Sequence, residues 1–132
     1  MDPGPLVDEQ IAAGAELLRR FDHGYPVKVG FWLKAGEGPR RHLYIASDSF
    51  NQGGLREGYG EVVRLTDALC CPYLEASDVK LIGADDPLAR AAVTLNERYP
   101  GRAQGTRLRE TYFGGVPIED IYIYPAPVPA AP

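Results

Sequence analysis

Residues 27–47, VKVGFWLKAGEGPRRHLYIAS, decide how the rest of the chain is read. Val27, Val29, Phe31 and Leu33 alternate with Lys28, Gly30, Trp32 and Lys34, the period of two expected of a β-strand. A loop with Gly36, Gly38 and Pro39 follows. A second strand over about 41–47 then carries Leu43 and Ile45 in one parity and His42, Tyr44 and Ala46 in the other. A connection this short joins antiparallel neighbours, so the two strands are expected to form a hairpin.

Upstream, Val7, Ile11, Ala15 and Leu18 fall on one face of a helix over about 7–22, with Gly24 at the position of a C′ glycine and Pro26 barring continuation. Downstream, a polar loop at 48–54 leads into a helix over about 55–69. Its inner stripe reads Leu55, Tyr59, Val62, Val63, Thr66 and Leu69. A short strand over about 79–82 comes next. Asp86-Pro87 then marks a helix start, because aspartate caps free first-turn amides and proline at the first helical position gives up no intrahelical bond. That helix runs to about 99, with Leu88, Ala91, Ala92 and Leu95 inward.

Two final strands, over about 106–113 and 116–124, flank a Gly114-Gly115 turn. The apolar parity slips between Ile118 and Ile121, as a bulge near Glu119-Asp120 would make it. The order is αββαβαββ, and the expected fold is α+β: a mixed five-stranded sheet packed against three helices. Leu18, Phe31, Ile45, Val62, Leu95 and Ile121 are expected in the core.

A chain of 132 residues suits one domain, expected over 7–124. Tails are expected at 1–6, with two prolines and a glycine, and at 125–132, where proline alternates with alanine and valine. The apolar share of 45% and charged share of 24% exclude a wholly disordered chain. The formal net charge of −4 supplies no global attraction to nucleic acid or an anionic membrane. No basic stretch followed by an apolar run opens the sequence, and no apolar run approaches the roughly 20 residues of a membrane span. The expected compartment is the cytoplasm.

Most chemical constellations fail on spacing. Cys70 and Cys71 are adjacent, a poor geometry for a mutual bridge, and lack the spacing of a zinc knuckle or redox pair. They are read as reduced thiols at a helix end, at least partly buried. His23 and His42 have no second ligand at metal spacing, so neither metal nor cofactor is expected. Ser47-Asp48-Ser49 lacks a nucleophile elbow, leaving a Ser49–His42 dyad as the sole nucleophile arrangement. Asp78-Val79-Lys80 matches half of a metal-dependent nuclease site, with Asp48 or Glu75 as a nominal third group. Asn51-Gln52-Gly53-Gly54 offers amides to an anion but lacks the lysine and serine of a phosphate loop. Asp85-Asp86 reads first as a helix cap.

The sheet surface is more informative. With Val27, Val29, Phe31, Leu33, Leu43, Ile45, Leu108, Ile121 and Ile123 facing the core, strict alternation sends Trp32, Lys34, Tyr44, Arg107, Arg109, Tyr122 and Tyr124 to the other face, with Lys28 and His42. Tryptophan, tyrosine and arginine are favoured at binding hot spots. The functional expectation is therefore a non-catalytic protein-binding or assembly module that uses this aromatic–cationic face, its partner being another protein or a second copy. The alternatives are a single-strand nucleic-acid binder stacking bases on the rings, which the net charge disfavours, and a small enzyme using the loop after the second strand. A helix covering the face would remove the first two readings.

Overall fold

The computed structural model describes residues 8–35, 41–70, 72–98, 106–113 and 116–124, with backbone alone at 35, 98, 106–113 and 116–120. The expected tails at 1–6 and 125–132 lie outside them. The elements are α1 (Asp8–Phe21), β1 (Val29–Ala35), β2 (His42–Ser47), α2 (Leu55–Leu69), β3 (Val79–Gly83), α3 (Pro87–Arg98), β4 (Thr106–Phe113) and β5 (Val116–Ile123), with single 3-10 turns at Asp48–Phe50 and Ala76–Asp78. The class is α+β, three helices with a mixed sheet.

Local chemistry sets several boundaries. Asp86 caps α3, its Oδ1 accepting the Leu88 amide at 2.9 Å. The end of α1 is tied forward to the sheet, where Asp22 Oδ1 accepts the Val27 amide at 2.8 Å. Gly24 does not take the left-handed conformation expected of a C′ glycine; the turn closes instead through the Tyr25 amide on the Phe21 carbonyl at 2.9 Å. At the end of α2 it is Cys70 that adopts the left-handed conformation, with φ 49°.

The strand order is β3-β2-β1-β5-β4. β1 pairs antiparallel with both β2 and β5, and β4 pairs antiparallel with β5. β3 runs parallel to β2, which requires a crossover, and α2 supplies it. Between Lys34 and Ala35 the β1–β5 register moves from Asp120 to Ile118, which leaves Glu119 as the extra residue of a bulge.

Apolar layers lie on both sides of the sheet. On one side α1 (Leu17, Leu18, Phe21) and α2 (Val62, Leu65) pack with Trp32, Leu43, Ile45, Val79, Leu81 and Tyr124. On the other, α3 (Ala89, Ala92) packs with Val29, Phe31, Leu33, Ala46, Ile121 and Ile123. Leu18, Phe31, Ile45, Val62 and Ile121 are buried as expected. Leu95 is only half-buried, at the margin of the α3 layer.

Two glycines permit the close approach of α1. A Cβ on Gly30 would lie 2.5 Å from Leu18 Cδ1, so the strand is bare where Leu18 presses on it. A Cβ on Gly14 would collide with the Tyr124 hydroxyl and stand 2.9 Å from Trp32 Nε1.

Candidate functional site

Of the seven residues expected to share one binding face, Tyr44 lies on the other side of the sheet. Residues directly opposite across an antiparallel pair project to the same side, and β1 pairs Trp32 with Leu43 and Phe31 with Tyr44. Leu43 and Ile45 therefore belong to the side of Trp32, while Tyr44 belongs to that of Phe31, where the two rings stack at 5.2 Å. The expected parity of β2 is out by one residue. Tyr122 pairs with Trp32 and Lys34 with Asp120, which keeps Trp32, Tyr122, Tyr124 and Lys34 on one side. Arg107 and Arg109 pair with Tyr122 and Asp120 through the edge strand β4, but their side chains lie outside the described residues.

Burial is the larger correction. Trp32 is 1% exposed and Tyr124 3%, because α1 lies over them. The Trp32 indole donates to the Tyr124 hydroxyl at 3.0 Å, and that hydroxyl donates to the Ile11 carbonyl of α1 at 2.6 Å. Burial pushes the Tyr124 hydroxyl well above the ordinary tyrosine range. Its proton is therefore held at neutral pH, available for the bond to α1. Tyr44 is also shifted upward, first by burial and then by the nearby Asp86 carboxylate. Trp32 and Tyr124 thus fasten helix to sheet.

The loop after β2 does not assemble a nucleophile. Ser47 is fully buried and its hydroxyl accepts the Ser49 amide at 3.1 Å. His42 opens β2 and Ser49 follows its end, so about 16 Å or more of extended strand separates them. Of the two nominal third groups of the nuclease half-site, Asp48 is separated in the same way, and Glu75 is paired with Asp78 in a capping box. Asp78 precedes β3 while Asp48 follows β2, at opposite ends of a parallel pair. Asp78 Oδ2 instead accepts the Glu75 amide at 3.0 Å.

Beyond the ends of β2 and β3, Asn51 bridges the two loops: it donates to Asp48 at 3.3 Å and accepts the Asp85 amide at 3.3 Å. Gly54, left-handed with φ 81°, is the N-cap of α2. Among the described residues, no group of three or more His, Cys, Asp or Glu could hold a metal ion, and no helix is long and apolar enough to cross a membrane.

The exposed apolar side chains sit elsewhere. Leu55, Tyr59, Val63 and Tyr73 are 37–48% exposed, the first three along one i, i+4 row of α2. Sequence periodicity placed that row inside. A row of this spacing drifts about 40° round the helix per step, and the inward face is instead Gly58, Val62, Leu65 and Thr66. Tyr59 is anchored, its hydroxyl accepting the Leu81 amide at 3.0 Å. With the Val79 amide on the Ala76 carbonyl, this occupies two outward amides of the edge strand β3, which blunts it against strand addition.

At the far end of α2 a shallow groove of about 520 Å³ is lined by Thr66, Asp67, Cys70, Pro72, Leu74, Glu75 and Ala76. Cys70 is free and exposed rather than partly buried, its thiol donating to the Asp67 carbonyl at 3.0 Å; Cys71 lies outside the described residues. Compared with protein-family models, with curated proteins and with solved structures, the chain matches none.

Proposed function

We propose that this chain is a non-catalytic protein-binding or assembly module, and that it docks through the outer flank of α2 rather than through the sheet. One observation carries the reading: the large apolar side chains exposed among the described residues are Leu55, Tyr59, Val63 and Tyr73, three of them on α2. Neighbouring exposed apolar groups, rimmed here by Arg56, Glu57, Arg64 and Asp67, are a recurrent mark of protein contact. The burial of Trp32 and Tyr124 takes two of the rings from the base-stacking alternative. The separation of His42 from Ser49 speaks against that dyad.

In-cell photo-crosslinking tests the reading. A photo-reactive side chain installed at position 63 is expected to give a discrete protein adduct. The same group at position 28, an exposed site at the start of the sheet, is expected to give none. Equal labelling from both positions, or no adduct from position 63, contradicts it.

A further inference from the structure

We infer that the partner of α2 is a second copy of this chain, with the two α2 helices antiparallel across a two-fold axis that passes between Gly60 and Val63. The inference rests on the proposed docking role of α2 and adds the identity of the partner. Arg56, Gly60, Val63 and Asp67 are all exposed. Their spacing of four, three and four residues aligns them along one outward seam, with the spacing of a side-by-side helix pair and with opposite charges at its two ends. Antiparallel pairing about the stated axis sets Arg56 of each copy against Asp67 of the other. It also sets Val63 of each over Gly60 of the other.

The charges beside the seam agree. Glu57 and Arg64 lie seven residues apart on one flank, so the same axis brings Glu57 of one copy to Arg64 of the other. Arg64 already holds Glu61 through Nε and one Nη, at 2.9 and 2.6 Å. Its side chain is 66% exposed, and a guanidinium has five donors to share.

Two features of α2 that its own fold leaves unexplained follow from this pairing. Asp67 stands in the last turn, at the wrong end for the dipole of its own helix, while in the first turn Arg56 is offset by Glu57. An antiparallel neighbour presents the opposite dipole end, together with an opposite charge. Gly60 is the second feature. Glycine is a poor helix former, and a Cβ there would meet nothing within 4 Å. Gly58, by contrast, is required inside the chain, since a Cβ there would lie 2.6 Å from Phe50 and 2.7 Å from Leu81. A notch at Gly60 gains a role when Val63 of a second copy fills it.

Sedimentation velocity on the purified full chain, from about 10 µM to about 1 mM, tests the pairing. The mass is expected to climb from one copy towards two. Arg56→Asp and Asp67→Arg are each expected to weaken association at least tenfold, with circular dichroism unchanged because both sites are exposed. The double reversal R56D/D67R is expected to return it to within about threefold. A chain that stays monomeric throughout overturns the self-pairing; a foreign protein in the position-63 adduct would in that case leave the docking role of α2 standing. A dimer indifferent to both single reversals, or not restored by the double one, also overturns it. If position 63 in addition gives no adduct, the docking role falls with it.

Discussion

Helices α1 and α2 have similar lengths and lie against the same side of the sheet, yet their outer faces differ. In α1, Asp8 and Glu9 occupy the first turn and Arg19 and Arg20 the last, the arrangement that suits the helix dipole. Glu16 bonds both arginines. Its inward side chains Leu17, Leu18 and Phe21 are fully buried, and Gly14 makes room for the rings beneath. In α2 the first turn carries both Arg56 and Glu57 and the last turn Asp67 with no basic residue, the mid-helix glycine Gly60 faces open space, and Leu55, Tyr59 and Val63 remain exposed. Glycine placement, last-turn charge and exposed apolar side chains thus separate the two helices, as the proposed neighbour of α2 requires.

The contrast breaks most visibly in stability. Trp32→Ala removes a fully buried indole and its bond to Tyr124, and should cost about 3–5 kcal/mol. Val63→Ala should stay within about 0.5 kcal/mol at concentrations where single copies prevail. Denaturant unfolding of both variants measures the difference, and comparable losses would erase the distinction.

A glycine pair sharpens the comparison further. Gly14→Ala forces a methyl against Tyr124 and Trp32 and should destabilise by about 1–3 kcal/mol. Gly60→Ala meets no neighbour and should stabilise dilute protein by about 0.5–1 kcal/mol. Opposite signs in thermal melts are the expected outcome.

The smallest effect lies in the charges of α1. Hydrogen bonds from Arg19 and Arg20 hold Glu16 down to about 2, below its ordinary value of 4.5. A lowered folded value means the contribution is present above about pH 4.5 and fades as pH falls towards 2. Because the Glu16 side chain is about a third exposed, solvent screening keeps it small. Glu16→Gln should lose only about 0.3–0.5 kcal/mol at pH 7, and the gap to wild type should close on acidification. A gap that persists at pH 2 would show that the loss is not electrostatic.

Features fixed by local chemistry were legible in the sequence. The span of α2, the Asp86 cap at Pro87 and the bulge at Glu119 each follow from a few neighbouring residues. The side-facing assignments were not. In β2 both parities are apolar or aromatic, Leu43 and Ile45 against Tyr44 and Ala46, because helices cover both sides of the sheet. With no polar row to mark a solvent side, alternation could not set the register or show that Trp32 points into a core. The α2 face failed for another reason: Leu55, Tyr59 and Val63 are apolar by composition but lie on the drifting row. A signal that sets α2 apart, a last turn with Asp67 and no basic residue together with a glycine mid-span, was present in the sequence.

The pairing of α2 with α2 can be tested most directly by mixing. Arg56→Asp leaves a copy with two acidic seam ends and Asp67→Arg a copy with two basic ones, so each variant alone repels itself at both ends. Sedimentation of each alone at about 0.5 mM should show single copies, and an equal mixture should regain a two-copy species of mixed composition. A mixture that remains monomeric, or single variants that associate as well as the wild-type chain, would contradict the account.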